Sequence, residues 1–305
     1  MQEITSAKDF EVPELLPPSE DGVFRTLLTH PDAEPVLRDV IESFLHLSVV
    51  KVEVRNTELP ISDINEKRER FDVNCSIDDG SQIEIEMQSQ IMGGDSKRVD
   101  YKIIKDRSIY YLCDLHSGQP GRGIRYENFL RSFQITFCGY TVFPEQEDFI
   151  SHFSFRNEKG QELSNAVGIV FIELSKLNDI IKKPVSDMTG EEQWSIFFAY
   201  GGDKKYVDLI NKLCKVRSGI KMAEEVLSSI SRDERERALF RSRRKFQMDM
   251  DHNLAVARDE GREEGQNETA VRIAKKLLET KLSLEEIAKA TGLTLQEIKA
   301  LRGKQ

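Results

Sequence analysis

The chain has 305 residues, 39% hydrophobic and 32% charged, with a formal net charge of −9. That is enough apolar material for one large domain, or for a core of roughly 200 residues with an appendage. No basic-then-apolar leader opens it and no window reaches the ~18 apolar residues of a membrane span, so a cytoplasmic protein without membrane contact is expected.

Residues 1–20 are polar and proline-bearing and read as an extended arm. "SEDGVFRTLLTH" and "AEPVLRDVIESFLHL" then repeat apolar residues at helical spacing behind capping candidates. Three alternating segments follow, "VVKVEVRN", "RFDVNCSI" and "QIEIEMQSQ", each predicting a strand. "DSKRVDYKIIKDRSIYYLCDLHSG" predicts a long charged helix that stops at Gly118 and a Pro-Gly turn. "RSFQITFCGYTVF", "FISHFSFRN" and "AVGIVFIELSKL" predict three more strands. From about Glu191 the pattern is helical, with a charged helix broken or bent near Gly261 and Gly265 and a two-helix tail turning at Gly292. The expected division is an arm over 1–20, a mixed α/β core over 21–190, a helical extension and connector over 191–265, and a helical hairpin over 266–305.

Residues 71–90, "FDVNCSIDDGSQIEIEMQSQ", carry the most chemistry. Successive strand side chains point to opposite faces, so each strand has one apolar and one polar face. A two-residue Asp79-Gly80 loop would set Asp72 against Met87 and mix the faces. A three-residue loop, Asp78-Asp79-Gly80 with Gly80 left-handed, pairs Ile77 with Ser81, Asn74 with Glu84 and Asp72 with Glu86. The second register is the expected one. Opposed carboxylates repel, and a hard divalent cation is their natural mediator. The competing reading is a solvated strand face, on which acids and glutamines are ordinary.

Four cysteines (Cys75, Cys113, Cys138, Cys214) without a C-x-x-C pair argue for reduced thiols and against a cysteine metal cluster. The five histidines (His30, His46, His116, His152, His252) have no H-x-H or H-x-x-x-H spacing and suggest no alternative chemistry. A Gly-x-Ser-x-Gly elbow and a phosphate-binding glycine loop are both missing, so no nucleotide cofactor is expected. Net acidity argues weakly against a nucleic-acid partner, but residues 232–245 hold seven basic side chains against three acidic ones, and distribution matters more than the sum.

An Asp, a hairpin, then Glu-x-Gln on the next strand resembles the PD-(D/E)XK nuclease superfamily, and within it the Rpn-like recombination-promoting nucleases, also called putative transposases. The likeness covers nearly the whole chain. Asp21, Phe24 and Arg25 match that family's Asp-x-x-Phe-Lys helix, and "KRVDYKIIKDRSIYYLCDL" its Arg-x-x-Tyr-Tyr helix, taken at Arg98 and Tyr101 with Asp100 in place of the first tyrosine. "FIELSKL" matches a Glu-Leu-x-Lys strand, and "ARDEGREEGQ" with "LSLEEIAKATGLTLQEIKAL" matches the family tail.

The resemblance implies a restriction-endonuclease-like core, a central mixed sheet flanked by helices, followed by an all-helical C-terminal region. It implies a DNA endonuclease dependent on Mg²⁺, with Mn²⁺ or Ca²⁺ as alternatives, that promotes recombination or transposition-like events. Asp72, Glu86 and Gln88 would be catalytic, with metal held by Asp72, Glu86 and the backbone carbonyl of Met87. Gln88 stands where most of the superfamily has lysine; it can position a water but carries no charge. Asp21 is a further metal or water ligand, or else an acid favoured by a helix N-terminus. Glu84 holds a second ion, or is a solvated strand residue. Arg98, assisted by Lys97, clamps a phosphate, or belongs to an ordinary charged helix surface. The tyrosines at 101, 110 and 111 are read as packing residues.

The tail resembles a helix-turn-helix, with Gln296, Lys299 and Arg302 as the only plausible readers of DNA on its second helix. A hairpin for self-association competes with that reading, and a homo-oligomer formed through the helical C-terminal region is expected. The alternative to an endonuclease is a catalytically weak or inactive nuclease fold that binds DNA or protein.

Overall fold

Among the described residues six strands form one mixed sheet in the order β1-β2-β3-β4-β6-β5. They are β1 (Val52–Val54), β2 (Val73–Ile77), β3 (Gln82–Gln88), β4 (Ser132–Cys138), β5 (Ile150–Phe153) and β6 (Val167–Glu173). Each falls inside a segment whose alternation predicted a strand. A computed structural model describes residues 15–55, 73–89, 101–119, 125 and 128–302. The chain divides into two compact units at Arg243/Arg244.

The β2–β3 turn takes the three-residue form. Gly80 is left-handed, at φ 83°. The Ile77 N–H donates to the Ser81 carbonyl at 3.1 Å, and the register sets Val73 against Ile85 and Asn74 against Glu84. β3 then runs parallel to β4, and β4 parallel to β6. A parallel pair needs a crossover; helix α3 (Tyr101–Ser117) lies in the β3–β4 connection.

Odd-numbered residues of β3 (Ile83, Ile85, Met87) join Ile135, Phe137, Val170 and Ile172 on one face of the sheet. Helices α1 (Asp21–Leu28), α2 (Glu34–Leu45), α4 (Gly190–Tyr200), α5 (Val207–Val216) and α6 (Ser218–Arg232) bury their apolar stripes in that same core. Phe137 is the hub, with ring centroids 5.6 Å from Phe24, 5.1 Å from Phe44 and 4.9 Å from Phe198. Trp194, Ile196, Phe197 and Phe198 of α4 are fully buried there, so residue 190 is not a packing boundary: α4 to α6 fold with the sheet. Nor is residue 16 part of a free arm. Leu16 is buried in the core and its N–H donates to Ser231 Oγ at 2.9 Å.

The other face is covered by α3, through Ile104 and Leu112 against Phe171 and Cys138. Because helices cover both faces, the solvated-face reading of β3 fails: Gln82, Glu84, Glu86 and Gln88 are all buried.

Helix α7 (Glu234–Leu278) passes through Gly261 and Gly265 without a break, so of the break or bend expected there the break is absent. In the second unit the end of α7, α8 (Leu284–Thr291) and α9 (Leu295–Arg302) close on Ala274, Ile287, Leu293 and Ile298. Ser283 with Glu286 forms a capping box before α8, and Thr294 with Glu297 repeats it before α9. Gly292, left-handed at φ 73°, turns one helix into the next. All four described cysteines are free thiols. No helix among the described residues is long and apolar enough to cross a membrane.

Candidate active site

Glu86 lies near the C-terminal end of β3 beneath α3, 2% exposed. Its Oε1 is held twice: Gln88 Nε2 donates to it at 2.6 Å, and Arg107 of α3 forms an ion pair with it. Arg107 also donates to Gln88 Oε1 at 3.4 Å and lies over the Tyr111 ring. Oε2 is buried and accepts no hydrogen bond from the described residues. Burial pushes the Glu86 carboxyl above the ordinary carboxylate range; Arg107 opposes the shift and Asp21 adds to it.

Asp21, the first residue of α1, accepts a hydrogen bond from Ser89 Oγ at 2.9 Å, just past the end of β3. Gly139 follows β4 on the other side, and its N–H donates to the Gln88 carbonyl at 2.9 Å. A Cβ at Gly139 would sit 2.6 Å from the Ser89 carbonyl oxygen, so glycine is what lets the two strand ends approach. Tyr140 comes next. Its phenol is pushed up by burial, then by Cys138 and by the Glu86 and Asp21 carboxylates, and it stays protonated. Arg243 lies against Gly22, one residue from Asp21.

Deeper under α3 the sheet is polar. Thr136 is the β4 neighbour of Glu86, and Gln134 that of Glu84. Thr136 Oγ1, the Gln134 amide, Asn74 Oδ1 and Ser108 Oγ are buried without a hydrogen-bond partner among the described residues. Native interiors satisfy nearly all such groups with protein, water or ions, so water or an ion is expected to complete these bonds.

These residues suit a hard cation. Glu86 Oε2 is a buried oxygen that accepts no hydrogen bond from the described residues, Asp21 adds a second carboxylate to the same field, and the nearby Cys138 thiol is held protonated by burial. Oxygen ligands of this kind select Mg²⁺ or a close relative over zinc.

Of the residues singled out in the sequence, the structure brings together Asp21, Glu86 and Gln88. Glu84 is fully buried, two residues back on the same face. The Met87 side chain is buried in the apolar core. Asp72, Lys97 and Arg98 lie outside the described residues; Val73 and Asn74 do hold the register from which a pairing of Asp72 with Glu86 was read. Lys299 and Arg302 are exposed on α9, in the second unit. Of the tyrosines read as packing residues, Tyr110 is 55% exposed. The sequence reading missed Arg107. Its signal was present, because Arg-x-x-Tyr-Tyr is met without substitution at Arg107, Tyr110 and Tyr111.

The Glu-Leu-x-Lys segment proves to be a brace. Glu173 is fully buried; its Oε1 accepts the N–H groups of Val142 (2.6 Å) and Phe143 (3.0 Å), and its Oε2 pairs with Lys176 Nζ at 2.7 Å. Lys176 Nζ in turn donates to the carbonyls of Phe143 and Gln146 at 2.9 and 2.8 Å. Together they fix the connection that leads out of β4 past Gly139 and Tyr140.

A mixed sheet with helices on both faces and a Glu-x-Gln strand ending among acids and an arginine is the restriction-endonuclease-like α/β architecture, here followed by a helical C-terminal region. The chain belongs to the PD-(D/E)XK nuclease family transposases, whose family model matches residues 18–257. Residues 267–303 match the C-terminal HTH domain of the Rpn/YhgA-like nuclease family. No curated protein and no solved structure matches the chain.

Proposed function

We propose that the chain is a metal-dependent endonuclease that hydrolyses DNA phosphodiesters in recombination or transposition-like events. The observation that carries this reading is the divided environment of Glu86: one oxygen is held by Gln88 and Arg107, and the other is buried and open beside Asp21. Glu86 and Asp72, with the Met87 carbonyl, hold the ion, and Asp21 or Glu84 completes the acidic set. A bound Mg²⁺ supplies Lewis acidity toward a phosphoryl oxygen and lowers the pKa of a coordinated water. Gln88 orients the attacking water through its amide and cannot act as a base. Arg107 supplies the fixed positive charge that lysine gives elsewhere in the superfamily; a guanidinium does not deprotonate, so its role is electrostatic.

DNA as the substrate is supported by the HTH match and by the basic run at 232–245, whose Arg243 reaches Gly22 at the edge of the site. Lys299 and Arg302 are exposed for phosphate or base contact on α9. Pairing of subunits through α7 would give one site per strand, and Leu239 and Phe246, exposed seven residues apart on that helix, suit such a contact. A second reading, a nuclease fold that binds without cutting, is favoured by the Arg107 ion pair on a would-be metal ligand and by glutamine in the lysine position.

Nicking of supercoiled plasmid with Mg²⁺, with Mn²⁺ and with chelator separates the two, run beside Asp72→Ala, Glu86→Ala and Arg107→Ala. Metal-dependent nicking lost in all three variants is the expected result. Metal-independent DNA binding with no nicking in any lane would establish the binding module.

A further inference from the structure

We propose a second metal site, for a transition-metal dication such as Zn²⁺ or Ni²⁺, made by His46, His152 and Glu191. It stands independently of the nuclease reading. The three side chains come from three elements: His46 ends α2, His152 lies on edge strand β5, and Glu191 opens α4. Their ligand atoms all lie within 4.8 Å of one another. His46 Nε2 is 3.2 Å and His152 Nε2 3.8 Å from Glu191 Oε1, and the two imidazoles face each other with centroids 5.8 Å apart. Ligands at bond lengths of ~2.0 Å around a tetrahedral ion lie about 3.3 Å apart, so these positions need little adjustment. Two imidazoles and one carboxylate suit zinc, nickel or cobalt rather than magnesium. Both imidazoles are exposed, which leaves room for water ligands.

His46 ends α2 in the left-handed conformation (φ 53°), the one non-glycine residue at positive φ among the described residues, a place where histidine is one of the side chains enriched after glycine.

The site is separate from Glu86. Ile85, Ile135, Val170 and His152 are successive register partners across the sheet, whereas Glu86 belongs to the next row, with Thr136, Phe171 and Ser151. The two sites therefore lie on opposite faces. A metal here would clamp the edge strand to the helices above it.

The test is titration of the metal-free full-length chain with Co²⁺, followed by visible d–d absorption, with Zn²⁺ competition and melting curves. Variants are His46→Asn, which keeps a residue tolerant of the left-handed backbone, His152→Gln, Glu191→Gln, and Glu86→Gln as the control. One saturable Co²⁺ that is displaced by Zn²⁺, raises Tm and persists in the Glu86→Gln chain, where the oxygen-ligand site is disabled, is expected. Each of the first three variants should weaken it at least about tenfold, and Glu86→Gln should leave it unchanged. Unsaturable binding, equal binding in the histidine variants, or a signal lost on Cys113→Ser would overturn the site.

Discussion

Burial raises the pKa of Glu86, so the folded chain holds that proton more tightly than the unfolded one. The sign follows: the carboxyl's contribution to stability is most favourable at acid pH. It declines as pH climbs from the ordinary carboxylate range through the raised folded-state value, and stays unfavourable above. Glu86→Gln carries the neutral form at every pH. It is expected to abolish nicking and yet melt at a higher temperature than wild type at pH 8, with the difference shrinking toward pH 4; melting curves across that range check it. At Glu173 the two oxygens accept the Val142 and Phe143 N–H groups and pair with Lys176. Lys176→Ala would leave a buried carboxylate unpaired and should cost about 3 kcal/mol in denaturant unfolding. The Glu173→Gln/Lys176→Met pair should cost less than the sum of its single changes. Strand parity, a local property, put Glu86 and Gln88 on one face in the sequence, and the structure sets Asp21 in the same field. Arg98 lies outside the described residues; Arg107 was passed over although Arg-x-x-Tyr-Tyr is legible there, because spacing along a helix does not say which turn meets the sheet. His46, His152 and Glu191 were invisible for a related reason: no short spacing joins residues that meet only through the tertiary fold.

At the scale of elements, all six strands were legible, since period-two alternation survives even where both faces are buried. What alternation could not tell was which polar face is solvated; that depends on α3, which arrives from the far side of the crossover. The expected break in α7 also failed. Glycine weakens a helix interior without ending it, and nothing near Gly261 or Gly265 forces a turn: a Cβ at either would meet no atom within 4 Å. Alanine at each position is therefore expected to add roughly 0.5–1 kcal/mol of helix stability, visible as greater helicity and later melting of that segment by circular dichroism. A drop in helicity would mean that a bend is native. The boundary at 190 misled for a physical reason as well. A change from mixed to purely helical pattern marks a change of secondary structure, and α4 is still needed to cover the sheet.

For the whole molecule, net charge is a poor guide to partners. A chain at −9 concentrates basic side chains at 232–245 and brings one of them, Arg243, to the edge of the candidate site. If that arginine meets a phosphate, Arg243→Ala should weaken binding evenly across DNA sequences and reduce the salt slope of log K by about one. Fluorescence anisotropy at several salt concentrations measures it, and an unchanged slope would place the phosphates elsewhere. The two-faced β3 also assigns its mutational burdens by the parity of residue number. Substitutions at 83, 85 and 87 strike the hydrocarbon interior and should show in a deep mutational scan as lost abundance. Changes at 84, 86 and 88 spare that interior, so abundance should fall less while cleavage disappears. Along seven consecutive residues, selection for a foldable chain and selection for a working one would then act on alternate codons.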